Sequence, residues 1–368
     1  MSPQTFSQTP GRSTAVSRTA WIFIALAGLT LLLFVADLAV GAVRIPLRDV
    51  WAAMFKANAA ADGGAVSGAA AGVSADGAVS AGTVLIVRRI RLIKAAVALL
   101  AGAALSVSGL QMQTLFRNPL AGPYVLGISA GASLGVALFI LGAPVLGMAG
   151  HAVLAALGLA GSAWVGAALL LALVALVSRR IKDIMVILIL GMMLSSGISA
   201  IVQILQYLSH ENALKSFVIW TMGSLGDVTA TQLWLLIPAV LIGLALAVAA
   251  IKPLNLLLLG ENYARTMGLN VGRSRRLIFL STVFLAGTVT AFCGPIGFIG
   301  LAVPHVARLL LREADHRILI PGAALCGAVV LLLCDIISKG LTLPINSITS
   351  ILGIPMVIWV VVQHKNIV

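Results

Sequence analysis

The sequence predicts an all-α polytopic membrane protein with about ten transmembrane helices. Its 368 residues are 60% hydrophobic and only 10% charged, and the mean hydropathy is +1.11. Soluble domains carry about 25% charged residues, so this composition excludes a soluble fold. Apolar runs long enough to cross a bilayer recur along the chain, and helices satisfy their own backbone groups in lipid. The fold class therefore follows from the composition together with the length and recurrence of the apolar runs.

Ten apolar segments are predicted to span the membrane. They are Ala20–Gly41, Ala95–Thr114, Val125–Val145, Val153–Val177, Ile184–Leu208, Leu233–Ile251, Leu277–Phe292, Ile296–Leu311, Ile318–Ile337 and Ile348–Val362. The first run is too long for the apolar region of a cleavable signal peptide. The third carries Gly127, Gly131 and Gly135, a spacing that lets helix backbones approach closely. An even number of spans places both termini on one side.

The connections divide the chain into a predicted cytoplasmic tail, residues 1–19, and a transmembrane domain, residues 20–368. The first outer loop, residues 42–94, contains an Ala/Gly/Ser-rich insert, Ala57–Gly82, which is expected to be mobile. Asn212–Met222 is predicted to form a short amphipathic helix at the outer surface. The net charge of +13 does not indicate nucleic-acid binding, because the basic residues lie mostly at helix ends, where they set topology.

The longest charged break in the second half of the chain is the loop of residues 252–276. Gly260 and Gly268 divide it into two predicted short helices, because glycine ends helices at little cost. Glu261 begins one of them, where a carboxylate suits the positive end of the helix dipole. The loop is either a basic connector retained inside by topology or a docking surface for a soluble partner. The second interpretation is favoured.

Several further blocks occur in order along most of the chain after Arg88. They are GAALSVSG at Gly102–Gly109 followed by Gln113, RNPLAGP at Arg117–Pro123, LGISAGA at Leu126–Ala132, GPIGFIGLAVPHVAR at Gly294–Arg308, DHR at Asp315–Arg317 with Pro321, and LPINSITSILGIP at Leu343–Pro355. With these blocks the chain resembles the FecCD-type permease subunits of ATP-binding cassette (ABC) importers, which take up ferric siderophores, haem or cobalamin. The resemblance implies a type II ABC importer permease architecture.

The same resemblance implies a set of partners and a location. The permease would pair with a second copy, most simply as a homodimer, with two cytoplasmic ATPase subunits and with a periplasmic substrate-binding protein. It would lie in the bacterial inner membrane with both termini cytoplasmic. The chain has no Gly-x-x-x-x-Gly-Lys-Ser/Thr phosphate loop, so it is expected not to be an enzyme and to hold no cofactor or metal. ATP and Mg would bind the partner subunits.

Three groups of site residues follow from the resemblance. ATPase coupling is assigned to Gly260, Glu261, Ala264, Arg265, Gly268 and Arg273. Docking of the binding protein is assigned to Arg91, Lys94 and Lys339, although headgroup anchoring is the simpler explanation. Docking is supported because the basic cluster of residues 88–94 lies in a predicted outer loop, against the positive-inside rule, and the sequence shows no structural role for it. The translocation gate is assigned to Asn118, Pro119 and Leu120, which also fit an ordinary turn.

Two ionisable positions in the predicted spans have competing interpretations. His305 follows a proline, and a hydrogen-bonded packing role is preferred to haem ligation. Asp335 and Lys339 are four residues apart and can pair on one helical face. The three cysteines, Cys293, Cys326 and Cys334, have no metal-ligand spacing and are predicted to pack in apolar surroundings.

The sequence departs from the family pattern in three places. Family members usually read Leu-Pro-x-Gly before the tenth span, and here Asn346 takes the place of the glycine. Asp183-Ile184-Met185 stands where small hydroxyl residues are common, and the Ala/Gly/Ser insert is longer than usual. These departures bear on the cargo, which is expected to be an iron complex (ferric siderophore or haem), with cobalamin as the alternative.

Two other functional classes fit a polytopic membrane protein. An ion-coupled secondary transporter needs carboxylates at midplane helix breaks, and only Asp37 and Asp335 lie within spans, near predicted helix ends. A membrane enzyme needs a facing cluster of His, Asp or Glu side chains. The chain has eleven acids and five histidines, mostly in loops. Both classes are therefore less favoured than an importer permease.

Overall fold

The computed structural model describes residues 12–41, 45–55, 81–142, 152–178, 180–181 and 183–365. Across these ranges the regular structure is helical and contains no strand, so the predicted all-α fold is confirmed. Most of the N-terminal tail and most of the Ala57–Gly82 insert lie outside the described residues.

The described helices are numbered here in chain order. They are α1 Arg12–Ala39, α2 Leu47–Phe55, α3 Ala81–Leu85, α4 Leu92–Phe116, α5 Ile128–Ala137, α6 Ala152–Val177, α7 Ile184–Leu208, α8 Glu211–Thr221, α9 Ala230–Ala249, α10 Ile251–Leu258, α11 Glu261–Thr266, α12 Val271–Thr282, α13 Thr288–Cys293, α14 Ile299–Leu311, α15 His316–Leu341 and α16 Ile345–Lys365. Single π-helical turns join α3 to α4 and α12 to α13 and extend α5.

Seven helical segments are long and apolar enough to cross a membrane, and three shorter apolar helices accompany them in the described part of the chain. Together they follow the ten predicted spans in order. The helix predicted at Asn212–Met222 is present as α8, Glu211–Thr221, and its location at the outer surface stays a prediction. The beginning of the second span was predicted wrongly, because the helix starts at Ala81 and runs through residues 88–94. The basic residues there resemble a loop in the sequence, but Arg88, Arg91 and Lys94 have partners within the protein.

The helix ends group at two opposite faces of the molecule. One face carries the end of α4, the 252–276 loop and the α14–α15 connection, which contact one another through side-chain hydrogen bonds. The other face carries the end of α1, the start of α4 and the end of α15. We call the first the loop face. α1 ends at the face opposite the loop face, and α16 begins there. The first residues of α1 and the last residues of α16 therefore lie toward the loop face.

Helix α4 is the centre of the fold, since it is buried on all sides from Ala101 to Phe116. Small residues allow its neighbours to approach. A Cβ added at Gly102 would lie 2.2 Å from the carbonyl oxygen of Gly327 in α15. One added at Gly109 would lie 1.6 Å from that of Gly300 in α14. These backbone contacts fix the three helices against one another, as expected where packing replaces the hydrophobic effect in lipid.

The glycines of the third span pack as predicted, with α5 against α6. A Cβ at Gly131 would lie 2.5 Å from the carbonyl oxygen of Gly166. One at Gly135 would lie 2.0 Å from that of Ser162. By contrast, only five residues of α7 are buried within the chain, and its remaining surface bears large apolar side chains such as Met192 and Met193. That surface requires lipid or another protein.

Candidate functional site

The 252–276 loop is ordered and contains the short helices α10 and α11. The first predicted short helix is confirmed as α11, which begins at Glu261, whereas the second is the beginning of the longer α12, and α10 was not predicted. Gly260 has φ 102° and Gly268 has φ 81°. Both values lie in the region that glycine enters without strain, so these two residues end helices in a way that other residues resist. Ala264 is fully buried under the loop. The loop therefore has a fixed shape rather than being a simple connector.

Glu261 holds α11 to the start of α12. Its carboxylate accepts a hydrogen bond from Arg275, whose side chain is only 8% exposed, and lies 3.5 Å from the Arg265 guanidinium. Arg275 also donates to the carbonyl oxygen of Ile181 at 3.4 Å. Thus one arginine joins α11, α12 and the connection before α7.

Arg273 does not join this cluster. It is exposed, and its backbone N–H is capped by Asn270 Oδ1 at 3.0 Å. Arg275, which was not selected from the sequence, occupies the buried position beside Glu261. Helical periodicity could have identified Arg275, because it lies on the same face of α12 as the buried positions 271, 274 and 278.

Residues 117–120 form a tight turn after α4, which we call the exit turn. Arg117 has φ 48°, a left-handed conformation that ends the helix. Asn118 Oδ1 accepts the backbone N–H of Leu120 at 2.9 Å, as an asparagine before proline commonly does. The carbonyl oxygen of Pro119 accepts from His305 Nε2 at 2.8 Å. Leu120 is 41% exposed, so it is available at the surface.

The exit turn and the loop share a surface cleft of about 650 Å³. Arg117, Asp183, Gly260, Glu261 and Arg265 are among its lining residues. A Cβ at Gly260 would lie 3.4 Å from the Arg117 guanidinium. The structure therefore brings the predicted coupling residues next to the predicted gate.

The three predicted docking residues lie together at the opposite face, but they point into the protein. Arg91 is 5% exposed and donates to the carbonyl oxygens of Leu38 and Ala39, each at 2.8 Å. Lys339, with a side chain 9% exposed, lies 2.8 Å from a carboxylate oxygen of Asp37 and 2.8 Å from one of Asp335.

Lys94, with a side chain 22% exposed, lies 3.0 Å from the other Asp335 oxygen. The predicted pairing of Asp335 with Lys339 is confirmed, and Lys94 is a second partner. The prediction that residues 88–94 have no structural role is therefore wrong. Lys94 pairs with the buried Asp335, and Arg91 donates to the last carbonyl oxygens of α1. Docking of a binding protein at these residues stays a prediction.

Two departures from the family pattern have structural roles. Asn346 Oδ1 accepts from the backbone N–H of Gly297 at 3.0 Å, which ties α16 to the segment before α14. Asp183 caps α7 by accepting from Met185 N at 2.8 Å. His305 is hydrogen-bonded within the chain, and the cysteines at 293, 326 and 334 are buried free thiols, as predicted. The described residues contain no group of three His, Cys, Asp or Glu side chains that could hold a metal.

Comparison with known proteins agrees with this arrangement. The sequence matches the FecCD transport family over residues 29–363. It is 37% identical over 290 residues to the hemin transport system permease protein HmuU of Yersinia pestis, covering 75% of this chain and 83% of that protein. It is 38% identical over 286 residues to the vitamin B12 import system permease protein BtuC of Salmonella paratyphi A, covering 77% and 85%.

A solved structure of a metal-chelate type ABC transporter in an inward-facing conformation superposes with a TM-score of 0.74 and 27% identity, covering 94% of this chain and 99% of that one. Because the family match spans most of the described helices, including the 252–276 loop and the exit turn, the chain is a transport permease that belongs to the FecCD transport family.

Proposed function

We propose that this chain is the membrane permease of an ATP-driven importer that carries an iron complex, ferric siderophore or haem, from the periplasm to the cytoplasm. The observation that carries the proposal is the rigid α10–α11 unit held at the loop face by Glu261 and Arg275. A membrane-embedded bundle gains little stability from such a unit. An external partner that pushes on it would gain a rigid lever.

The lever would be moved by ATPase subunits at the loop face, which we place in the cytoplasm. Two copies of this chain would pair around a two-fold axis, with the sparsely buried α7 of each copy turned toward it. ATP and Mg would bind the ATPase subunits. Closure of these subunits on ATP would displace α11, and the adjoining exit turn would open or close the path. This chain would supply the path and the lever, and its partners the energy.

A periplasmic binding protein would deliver the cargo at the opposite face. We keep Arg91, Lys94 and Lys339 as its proposed contacts, and their ion pairs with Asp37 and Asp335 determine how to test them. The triple exchange to glutamate would place like charges together inside the protein. The milder Lys94→Gln removes one partly exposed charge, and Arg89→Gln removes an exposed one from the same continuous helical segment.

If Lys94 contacts the binding protein, Lys94→Gln lowers the affinity at low salt more than Arg89→Gln does. Exposed charge pairs contribute roughly 0.2–1 kcal/mol, so the expected loss is a few-fold and shrinks as salt rises. An equal or larger loss for Arg89→Gln would move the docking site to the exposed basic residues.

Cobalamin is the second candidate cargo, because the vitamin B12 permease BtuC is as similar to this chain as the hemin permease HmuU. The test is ATP-dependent uptake by the assembled complex in proteoliposomes, with haemin, a ferric siderophore and cyanocobalamin offered separately. Uptake of haemin or the ferric siderophore supports the proposal. Uptake of cyanocobalamin alone assigns the second cargo, and failure to transport any of the three when the complex hydrolyses ATP contradicts both.

A further inference from the structure

Two adjacent residues in the last turn of α4 connect separate parts of the loop face. Thr114 Oγ1 lies 2.9 Å from His316 Nε2, at the start of α15. Gln113 Oε1 accepts from the Arg308 guanidinium of α14 at 2.6 Å. Both residues are buried, at 3% exposure each. The final turn of the central helix is therefore a junction between two hydrogen-bonded arms.

The first arm leads to the loop. Asn255 lies in α10, and its Oδ1 accepts from His316 Nδ1 at 2.7 Å and from the backbone N of the same residue at 2.9 Å. The Asn255 amide orientation is fixed because its Nδ2 donates to Asp315 at 2.6 Å. His316 therefore carries its ring proton on Nδ1, and Nε2 of the neutral ring can only accept. The single Thr114 hydroxyl proton lies between this Nε2, at 2.9 Å, and the Leu110 carbonyl oxygen, at 3.0 Å, and in the arm it is donated to His316. The arm runs from α10 through His316 into α4.

The second arm leads to the exit turn. Gln113 Nε2 donates to the carbonyl oxygen of Leu301 at 2.9 Å, so both ends of this amide hold α14. Leu301, His305 and Arg308 are spaced on one face of that helix. His305 Nε2 donates to the carbonyl oxygen of Pro119, which can only accept. Its contact with Gln113 Nε2, at 3.4 Å, is thus packing between two donors. The arm joins α4 to α14 and α14 to the turn.

We propose that these two arms form one relay, in which Asn255, His316 and Thr114 transmit movement of the loop to α4, and Gln113, Arg308 and His305 transmit it to Pro119. His305 is a positioning residue that holds the exit turn. The inference rests on the proposed function, in which the loop receives the ATPase and the exit turn gates the path. It goes further by naming the residues that connect them. Hydrogen-bonded side chains that are joined to one another through the backbones of α4 and α14 form a contiguous network of the kind that can couple two sites, and it requires a coupling measurement.

The test measures the thiol-labelling rate of Leu120→Cys in the complete complex, with and without ATP and vanadate. The three native cysteines are buried, so position 120 dominates the labelling. Thr114→Val removes the first arm, and His305→Leu removes the second. Thr282→Val is the matched control, because Thr282 is equally buried and bonds the carbonyl oxygen of Ile278, four residues back in its own helix. His305→Gln keeps a donor for Pro119.

In the parent, and in the Thr282→Val and His305→Gln variants, the relay predicts a nucleotide-dependent labelling rate. In Thr114→Val and His305→Leu the rate becomes independent of nucleotide while ATP hydrolysis continues, and uptake per ATP falls roughly tenfold. If His305→Leu does not assemble, Thr114→Val tests the relay by itself. A nucleotide response retained in Thr114→Val, or lost equally in Thr282→Val, overturns the relay but leaves the gate standing. No response in the parent would overturn the gate assignment and the relay together.

Discussion

Single polar side chains decide how the loop face is ordered, and Asp315 is one example. Its carboxylate accepts from the backbone N–H of Arg317 at 2.8 Å, capping α15, and from Asn255 at 2.6 Å. These hydrogen bonds, the backbone bond first, lower the pKa of Asp315. Because the pKa is lower in the folded state, the stabilisation is present at neutral pH and is lost as the pH falls through the range where the aspartate protonates.

Asp315→Ala is expected to lower stability by about 1 kcal/mol, since it removes an N-cap. Thermal unfolding of the detergent-purified protein measures the loss. Asp315→Asn is the control, because asparagine caps helices about as well. The alanine variant should lose its stability difference from the parent at low pH. A difference that persists unchanged in acid would contradict the capping account.

Pairs of helices are held by two devices, glycine contacts within lipid depth and ion pairs at the face opposite the loop. Gly135→Ala tests the first, because its Cβ would meet the Ser162 carbonyl oxygen at 2.0 Å and force α5 from α6. A loss of about 1–3 kcal/mol is expected from overpacking. Gly197→Ala in α7 is the control, since a Cβ there meets nothing within 4 Å.

The control should be neutral or should gain up to about 1 kcal/mol from helix propensity. The melting temperature of Gly135→Ala is therefore expected to lie below that of Gly197→Ala when the two are measured side by side. Equal melting temperatures would show that α5 does not need the close approach.

The ion pairs join α1, α4 and α15 through Asp37, Lys339, Asp335 and Lys94. Lys339→Met is expected to destabilise the protein by about 3–5 kcal/mol, because it leaves Asp37 buried without its cation. Adding Asp37→Asn should recover part of that loss. A double-mutant cycle in denaturant gives the coupling, and additive effects would show that the pair does not stabilise the folded state.

For the whole molecule, the sequence was sufficient for the fold class and the order of the ten apolar helices, because length and hydropathy act locally. It was also sufficient for the glycine turns of the loop, since positive φ has a residue signature. The beginning of the α3–α4 helix was missed because a basic stretch resembles a loop until its partners are known. Those partners, Asp37, Asp335 and helix carbonyls, are distant in the chain.

The same limitation applied to the site. Arg265 and Glu261 are near one another in sequence and were selected together, whereas Arg275 was passed over for Arg273. The relay joins five segments, namely α10, the start of α15, the end of α4, α14 and the exit turn, and its hydrogen bonds connect residues that are 61 to 202 positions apart in the chain. Such contacts follow from tertiary packing and have no periodic signal. The family resemblance supplied the positions of the site, and the structure supplied its connections.

We propose above all that ATP acting at the loop face drives transport through this chain. Its most direct test is cargo uptake into proteoliposomes by the complete complex, with ATP supplied on the side of the ATPase subunits, or replaced by a proton or sodium gradient. Uptake should require ATP and should be abolished by Glu261→Lys, which reverses the charge that Arg275 and Arg265 hold. Glu211→Lys, an exposed charge reversal on α8, should transport normally. Uptake driven by an ion gradient without ATP, or normal uptake by Glu261→Lys, would contradict the account.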